Sequence, residues 1–374
     1  MRVALGEPLV ALLARLRRGR PVDPRHPRSI LVLRNNDLGD LLVITPLFAA
    51  LRRLFPATHL VAAVGSWGLP VLQGNPHLSE TMVVEAPWFN KFVPHQSTLA
   101  RLRFVLASRA ARELRERRFE VGIDVVGSLW GSLLLLSAGI PLRLGVRGYA
   151  GGHSAAWRTV RFDPFEQVGR SALRFAELLG ARPEDLPPVR PQLFLSPVER
   201  SAGEAAWQAL SAAGQRVLVG PGAGLALKSW PVASYRQLVA ALAGREGLAL
   251  AIAGGPGERE LGEELAGLGG NVRNYAGVLS MRETFALAAG ADLVIANSSM
   301  LMHAAAAFSR PTLVLLGPAF PSARQHDAQW GYPGTCRSLG RETGERAEAA
   351  TPEEALGAVL EELARLEGGG PRCA

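Results

Sequence analysis

The chain is almost without lysine and cysteine. Of its 41 Lys and Arg residues only Lys91 and Lys228 are lysines, and its 374 residues include two cysteines, Cys336 and Cys373. Two thiols so far apart make neither a metal-binding spacing nor a disulfide framework, which suits a reducing compartment. No Asp-X-Asp occurs, so a diphosphate ligand would be neutralised by a basic side chain and helix ends, with no metal or cofactor expected. The first strand-to-helix turn, residues 35–40, lacks Gly-X-Gly-X-X-Gly, and the later glycines fall at separate strand ends. That disfavours a dinucleotide-dependent oxidoreductase.

Targeting and membrane-spanning signals are also absent. In residues 10–20 the basic residues follow the apolar run and no cleavage site comes after, so the stretch is not a signal peptide. It reads as a short amphipathic helix, either packed on its own domain or lying on a membrane surface. The uncharged run 125–142 approaches spanning length but contains Gly, Ser and Pro141, as a buried strand end and helix would. The expectation is a cytoplasmic protein, with peripheral contact at the inner membrane's cytoplasmic face left open.

Charge is uneven. Residues 1–190 hold 26 Lys/Arg against 15 Asp/Glu, and residues 191–374 hold 15 against 18, together the net +8. A basic first half implies an anionic partner. No helix-turn-helix, zinc finger or aromatic-basic strand is visible, which leaves nucleic acid the least supported and an anionic lipid or phosphorylated glycolipid better placed.

What is present is alternation. Apolar runs at 29–34, 59–64, 81–84 and 119–126 read as strands, and 41–55, 99–118 and 128–138 as helices. Residues 181–197 hold five prolines and read as a linker. Beyond it, strands at 216–220, 248–253, 272–276, 292–296 and 312–316 alternate with helices at 232–243, 258–268, 281–289 and 301–308. A final helix at 352–366 is expected to pack back across the linker. Strands joined by helices indicate parallel sheets, whose ligands gather at the strands' carboxyl ends. Four such ends in the second half carry small or polar residues, so its fold class is α/β.

Residues 217–231 stand out: a β-branched run, then Gly220-Pro-Gly222-Ala-Gly224, then Lys228-Ser-Trp-Pro231. Glycines after a strand admit a phosphate to the backbone. A lysine in so arginine-rich a chain suggests a need for a compact point charge.

Gly39-Asp40, Leu142-Arg-Leu-Gly145, Pro221-Gly-Ala223, Lys228-Ser-Trp-Pro231, Gly254-Gly-Pro-Gly-Glu258, Asn297-Ser-Ser-Met-Leu-Met-His303, Pro311-Thr312 and Gly317-Pro318 occur in that order. In order and spacing they resemble the ADP-heptose:lipopolysaccharide heptosyltransferases of glycosyltransferase family 9. The resemblance implies a GT-B fold, two Rossmann-like doubly wound parallel-sheet domains facing across a cleft. Its parts would be an extension at 1–28, an acceptor domain at 29–182, a linker at 183–198, a nucleotide-sugar domain at 199–350 and a C-terminal helix and tail at 351–374. It implies inverting, metal-independent transfer of a sugar, heptose by family default, from an ADP-linked nucleotide-diphosphate donor to an anionic cell-envelope glycolipid or lipopolysaccharide core.

Asp40 then becomes the general base, the alternative being a helix N-cap; Asp37 fixes the loop. Lys228 meets the donor diphosphate, aided by amides of Gly222, Ala223 and Gly224 and of the helix after Asn297, with Ser298 and Ser299 as phosphate ligands or N-caps. Glu258 accepts from the ribose hydroxyls or sits favourably at a helix N-terminus. His303 either touches the diphosphate or is a packed histidine. Arg143 and Arg147 either meet the acceptor or are solvated. One departure stands out: where the family has Asp-Ser/Thr-Gly, this chain has Ser298-Ser299-Met300. That leaves room for a related transferase with another donor sugar, or a catalytically impaired nucleotide-sugar-binding protein.

Overall fold

The computed structural model describes residues 7–17, 21–210, 214–342 and 347–368. The chain forms two compact units, Met1–Val189 and Arg190–Ala374. The first holds a six-stranded sheet of β1 (Ser29–Leu33), β2 (His59–Val64), β3 (Glu80–Val83), β4 (Val121–Asp124), β5 (Leu142–Arg147) and β6 (Arg158–Arg161), in the order β3-β2-β1-β4-β5-β6. The second holds β7 (Gln215–Gly220), β8 (Leu248–Ile252), β9 (Val272–Asn274), β10 (Leu293–Ala296), β11 (Thr312–Leu315) and β12 (Cys336–Leu339), in the order β12-β11-β10-β7-β8-β9. Every neighbouring pair within both sheets is parallel.

Each unit is therefore a doubly wound Rossmann-like fold. The chain starts on a central strand, runs to one edge, then returns to fill the other side. The crevices off the carboxyl ends of β1/β4 and of β7/β10 are the topological switch points, where sheets of this kind bind ligands.

The inner strands β1, β2, β8, β10 and β11 are almost wholly buried apolar runs because both faces are covered, whereas the edge strands β3, β6, β9 and β12 carry polar or charged residues. In the second sheet Val217, Val219, Leu250, Ile252, Leu293 and Ile295 pack with Trp230 and Tyr235 on one side. Leu218, Ala249, Ala251, Val294 and Ala296 pack with Trp207 and Leu301 on the other. This is the strand period of two, and each large buried side chain contributes roughly 1.5–3 kcal/mol.

Several element boundaries differ from expectation. Residues 41–55 form two helices, Leu38–Val43 and Thr45–Leu54, with Pro46 in the first turn of the second. Residues 99–118 break at Ser108, which is extended and whose hydroxyl caps Arg109–Arg117 through the Ala111 amide. The helix Pro352–Glu367 packs on the helix Val232–Ala243 and on β11 of the second unit. Its buried residues Ala355, Ala358, Val359 and Leu363 join the second unit's own core beside Trp230. The strands β5, β6 and β12 and the helices Val168–Leu178 and Ala323–Trp330 had no sequence-level counterpart.

The N-terminal helix spans Glu7–Leu16 and docks on the first unit. Val10 packs against Leu136 and Ala155, and the Glu7 carboxylate accepts from the amides of Gly152 and Ser154 and from the Ser154 hydroxyl. Residues 1–6 and 18–20 of the expected extension, and Cys373 in the tail, lie outside the described residues. Among the described residues no helix is long and apolar enough to cross a membrane.

Candidate active site

At the β7/β10 switch point the organising side chain is Asn297, fully buried just after β10. Its Oδ1 accepts from the Trp230 amide at 2.8 Å and the Tyr235 hydroxyl at 3.1 Å. Its Nδ2 donates to the carbonyls of Pro221 at 2.7 Å and Gly222 at 3.2 Å. The end of β10 is thereby tied to the segment that leaves β7, and the 221–230 loop is held in place.

Lys228 ends a single 3₁₀ turn, Ala226–Lys228. That turn is held to the chain leaving β11: the Ala319 amide donates to Leu227 O at 2.9 Å, and a Cβ on Gly317 would lie 2.5 Å from Ser229 O. The Lys228 ammonium stands 5.8 Å from the centre of the Phe320 ring and has no ion-pair partner among the described residues. Phe320 in turn meets His326 edge-on at 4.6 Å.

His326 is buried, with Nε2 2.8 Å from Ser298 Oγ and Nδ1 2.7 Å from Ser338 Oγ. Ser338 Oγ lies 2.5 Å from Asp327 Oδ1 and donates to it. Burial, seconded by Lys228, pushes the His326 imidazole below its usual range against the opposing pull of Asp327, so the ring is neutral. His303 is buried too, its Nδ1 2.6 Å from the Tyr332 hydroxyl. Burial, then His326 and Lys228, lower it to about 3.

Two strand ends meet at Glu258. One carboxylate oxygen accepts from the Gly255 amide at 2.5 Å, and the other would lie 2.4 Å from a Cβ placed on Gly222. Gly222 is thus required for close approach.

At the β1/β4 switch point Arg34, almost wholly buried, donates from Nη2 to Asp40 Oδ1 at 2.9 Å and from Nε to Asp40 O at 3.1 Å. Asp40 keeps 30% of its side chain exposed. The N-cap of its helix is Asp37, so Asp40 is not the cap. Asp37 instead accepts from the Lys91 amide at 3.3 Å, fixing the loop. Asp124, at the end of β4, is fully buried and accepts from the Ser128 amide and hydroxyl, while its Oδ1 has no hydrogen-bond partner among the described residues. Burial raises it to about 6 despite those bonds and nearby Arg34.

The family model for glycosyltransferase family 9 (heptosyltransferase) matches residues 107–342, well over half of the chain. The chain belongs to glycosyltransferase family 9. Lipopolysaccharide heptosyltransferase 2 of Salmonella typhimurium is 28% identical to this chain over 306 residues, covering 78% of this chain and 84% of that protein. The solved E. coli ADP-heptose lps heptosyltransferase II superposes with a TM-score of 0.70 at 25% identity, covering 91% of this chain and 99% of that one. A family 9 glycosyltransferase from Veillonella parvula superposes with a TM-score of 0.74 at 17% identity, covering 92% and 99%. The protein is therefore a glycosyltransferase.

Within this family 9 enzyme the structure corrects several residue expectations. Asn297 has its side-chain oxygen and amino group committed inside the protein, so that side chain builds the crevice. Arg143 is buried, donating to the carbonyls of Ala155 at 2.7 Å and of Ile140, which removes it from an acceptor. Arg147 is exposed at the end of β5, in register with Arg161 of β6. Neither Gly222 nor Gly224 has a positive φ, so no left-handed anion nest forms there. His303 is a packed histidine. Ser299 occupies the N-cap of the Met300–Ala307 helix without a side-chain cap bond, while Ser298 spends its hydroxyl on His326. Glu258 does satisfy its helix start through Gly255, and keeps one oxygen at the β7 loop.

Sequence reasoning missed Arg34, Asp124, His326, Asp327 and Ser338. Arg34 was within reach, since it ends the first strand six residues before Asp40. The other four carry no local pattern.

Proposed function

We propose that this enzyme moves a heptose, with inversion and without an essential metal, from ADP-heptose to a lipopolysaccharide-core acceptor. Asp40 takes the proton of the attacking acceptor hydroxyl as the new glycosidic bond forms. The bond from the anomeric carbon to the diphosphate breaks, and the nucleoside diphosphate leaves with its added negative charge beside Lys228. The observation that carries the reading is the Arg34–Asp40 pair. A buried guanidinium orients a half-exposed carboxylate at a switch point, while Asp40 Oδ2 has no partner among the described residues. Glu258 faces the ribose, Ser299 and the Gly222–Gly224 backbone face the phosphates, and Arg147 beside Arg161 meets an anionic acceptor. The ADP-heptose and lps named for the E. coli relative supply the donor and acceptor class.

Thermal unfolding against a panel of nucleotide sugars tests this. ADP-heptose should raise the melting temperature more than UDP- or GDP-linked sugars, because binding to the native state stabilises it. Equal shifts across the panel would sink the donor assignment. A larger shift with another ADP-sugar would favour the related transferase that the Ser298 departure suggests.

The same reading places the acceptor in a lipid surface, met peripherally at the cytoplasmic face of the inner membrane. The Glu7–Leu16 helix exposes Leu9, Leu12 and Leu16 beside Arg15 and Arg17, and the Thr98–Ala107 helix exposes Leu99, Leu102 and Leu106 beside Arg103. Both helices pack on the Leu129–Ser137 helix. Leucine stripes edged with arginine suit an anionic bilayer. Flotation with anionic vesicles should be lost in Leu12→Asp with Leu102→Asp; undiminished flotation would contradict the attachment.

A further inference from the structure

The Ser298–His326–Ser338–Asp327 chain leaves little freedom in where its hydrogens lie. A carboxylate only accepts, and Ser338 Oγ stands 2.5 Å from Asp327 Oδ1, so the Ser338 hydrogen lies between them. Ser338 Oγ must then offer His326 Nδ1 a lone pair, at 2.7 Å. The single N–H of the neutral imidazole is accordingly on Nδ1, and Nε2 is an acceptor. At 2.8 Å from Nε2, Ser298 Oγ is obliged to donate its own hydrogen to the ring. What remains on Ser298 is lone pairs alone.

We propose that Ser298 is a dedicated hydrogen-bond acceptor for a hydroxyl group of the donor sugar, and that His326, Ser338 and Asp327 are positioning residues that hold it in that role. A phosphate oxygen is also an acceptor and cannot pair with Ser298 so oriented, whereas a sugar hydroxyl can donate to it. The assignment therefore replaces the expectation that Ser298 binds phosphate. The inference rests on the donor occupying the β7/β10 crevice. The location fits, since Ser298 follows Asn297 off β10, and His326 lies under Phe320, over which Lys228 stands.

Asp327 offers a way to reverse the chain of hydrogens. Its side chain is 38% exposed, so Asp327→Asn should fold. Its Oδ2 faces the Ser338 amide at 3.3 Å, a fixed donor, so an asparagine there turns its oxygen to that amide and its NH₂ to Ser338 Oγ. Ser338 then donates to His326 Nδ1, the imidazole hydrogen moves to Nε2, and Ser298 changes from acceptor to donor.

The test has two arms on the full chain. In the first, ¹⁵N NMR reads the His326 tautomer, assigned by its loss in His326→Gln. Nδ1–H in the wild type and Nε2–H in Asp327→Asn are expected; Nε2–H in the wild type would overturn the proposal, whatever the ligand. In the second, turnover is measured with ADP-heptose and with its mono-deoxy analogues. One deoxy position should lower wild-type kcat/KM about tenfold or more, the loss expected from a buried acceptor left unpaired. That penalty should vanish in Ser298→Ala while ADP affinity is retained. Equal penalties in both proteins at every position would overturn the proposal, even with ADP bound normally. Failure of ADP itself to bind, or binding indifferent to Lys228→Ala, would instead refute the donor-site reading.

Discussion

The two switch points share a topology and differ in how their polar atoms are satisfied. Around β7/β10, Asn297 fills four hydrogen bonds and Ser298, His326, Ser338 and Asp327 form one continuous chain, beside a Lys228 that has no ion-pair partner among the described residues. Around β1/β4, Asn35 Oδ1, Asn36 Oδ1 and Asp124 Oδ1 are buried acceptors without a hydrogen-bond donor among the described residues, and the Arg34–Asp40 pair ends the same crevice. A satisfied network is rigid and suits recognition of one ligand shape. Unsatisfied buried acceptors each cost about 1–3 kcal/mol, and natural chains keep them mostly where chemistry requires it. On the function proposed above, that difference matches recognition in the second unit and proton chemistry in the first.

Removing the centre of the satisfied network should do the most damage. Asn297→Leu strands the Trp230 amide, the Tyr235 hydroxyl and two carbonyls, and is expected to cost on the order of 3–5 kcal/mol in urea unfolding. A loss under about 1 kcal/mol would mean that the network is not what holds the β7 loop.

The unsatisfied crevice should respond in the opposite sense. Asp124 has a folded-state value of about 6, above the 3.8 of a free carboxyl. Its protonated form therefore supports the fold fully below about pH 4, and that support is lost as pH rises through about 6. Asp124→Asn should leave stability nearly unchanged at pH 4 and raise it at pH 8 by up to roughly 3 kcal/mol. Destabilisation at pH 8 would show that the ionised carboxylate is needed, erasing the contrast.

Smaller effects sharpen the picture. Gly222→Ala places a methyl group against the Glu258 carboxylate and should weaken ADP binding about tenfold, read by calorimetry, since displacing one charge-assisted hydrogen bond costs about 1.5 kcal/mol. Arg147→Ala should change stability by less than about 0.5 kcal/mol, as an exposed side chain away from the core does. Its effect should appear in the acceptor KM alone.

Both sheets were largely legible, because strands buried on two faces read as unbroken apolar runs and the helices between them imply parallel pairing. The edges were less so. Strand β6, Arg158–Arg161, carries charges that hide its pairing with β5, and Ser108 splits a helix whose amphipathic pattern runs straight through it. At the sites, Lys228 was visible because lysine is rare here. Arg143 could not be told from any other arginine, since only the fold reveals the carbonyls that bind it. His326 was invisible for a related reason: it lies 28 residues beyond Ser298 on a helix with no motif, and its partner Ser338 is on the edge strand β12.

The division of labour between the units is tested most directly by single-turnover transfer from ADP-heptose in Asp40→Asn. Transfer should slow by about 10²–10⁴-fold, the span of a general base, while ADP affinity stays within about twofold of the wild type. Transfer at the wild-type rate would contradict the account.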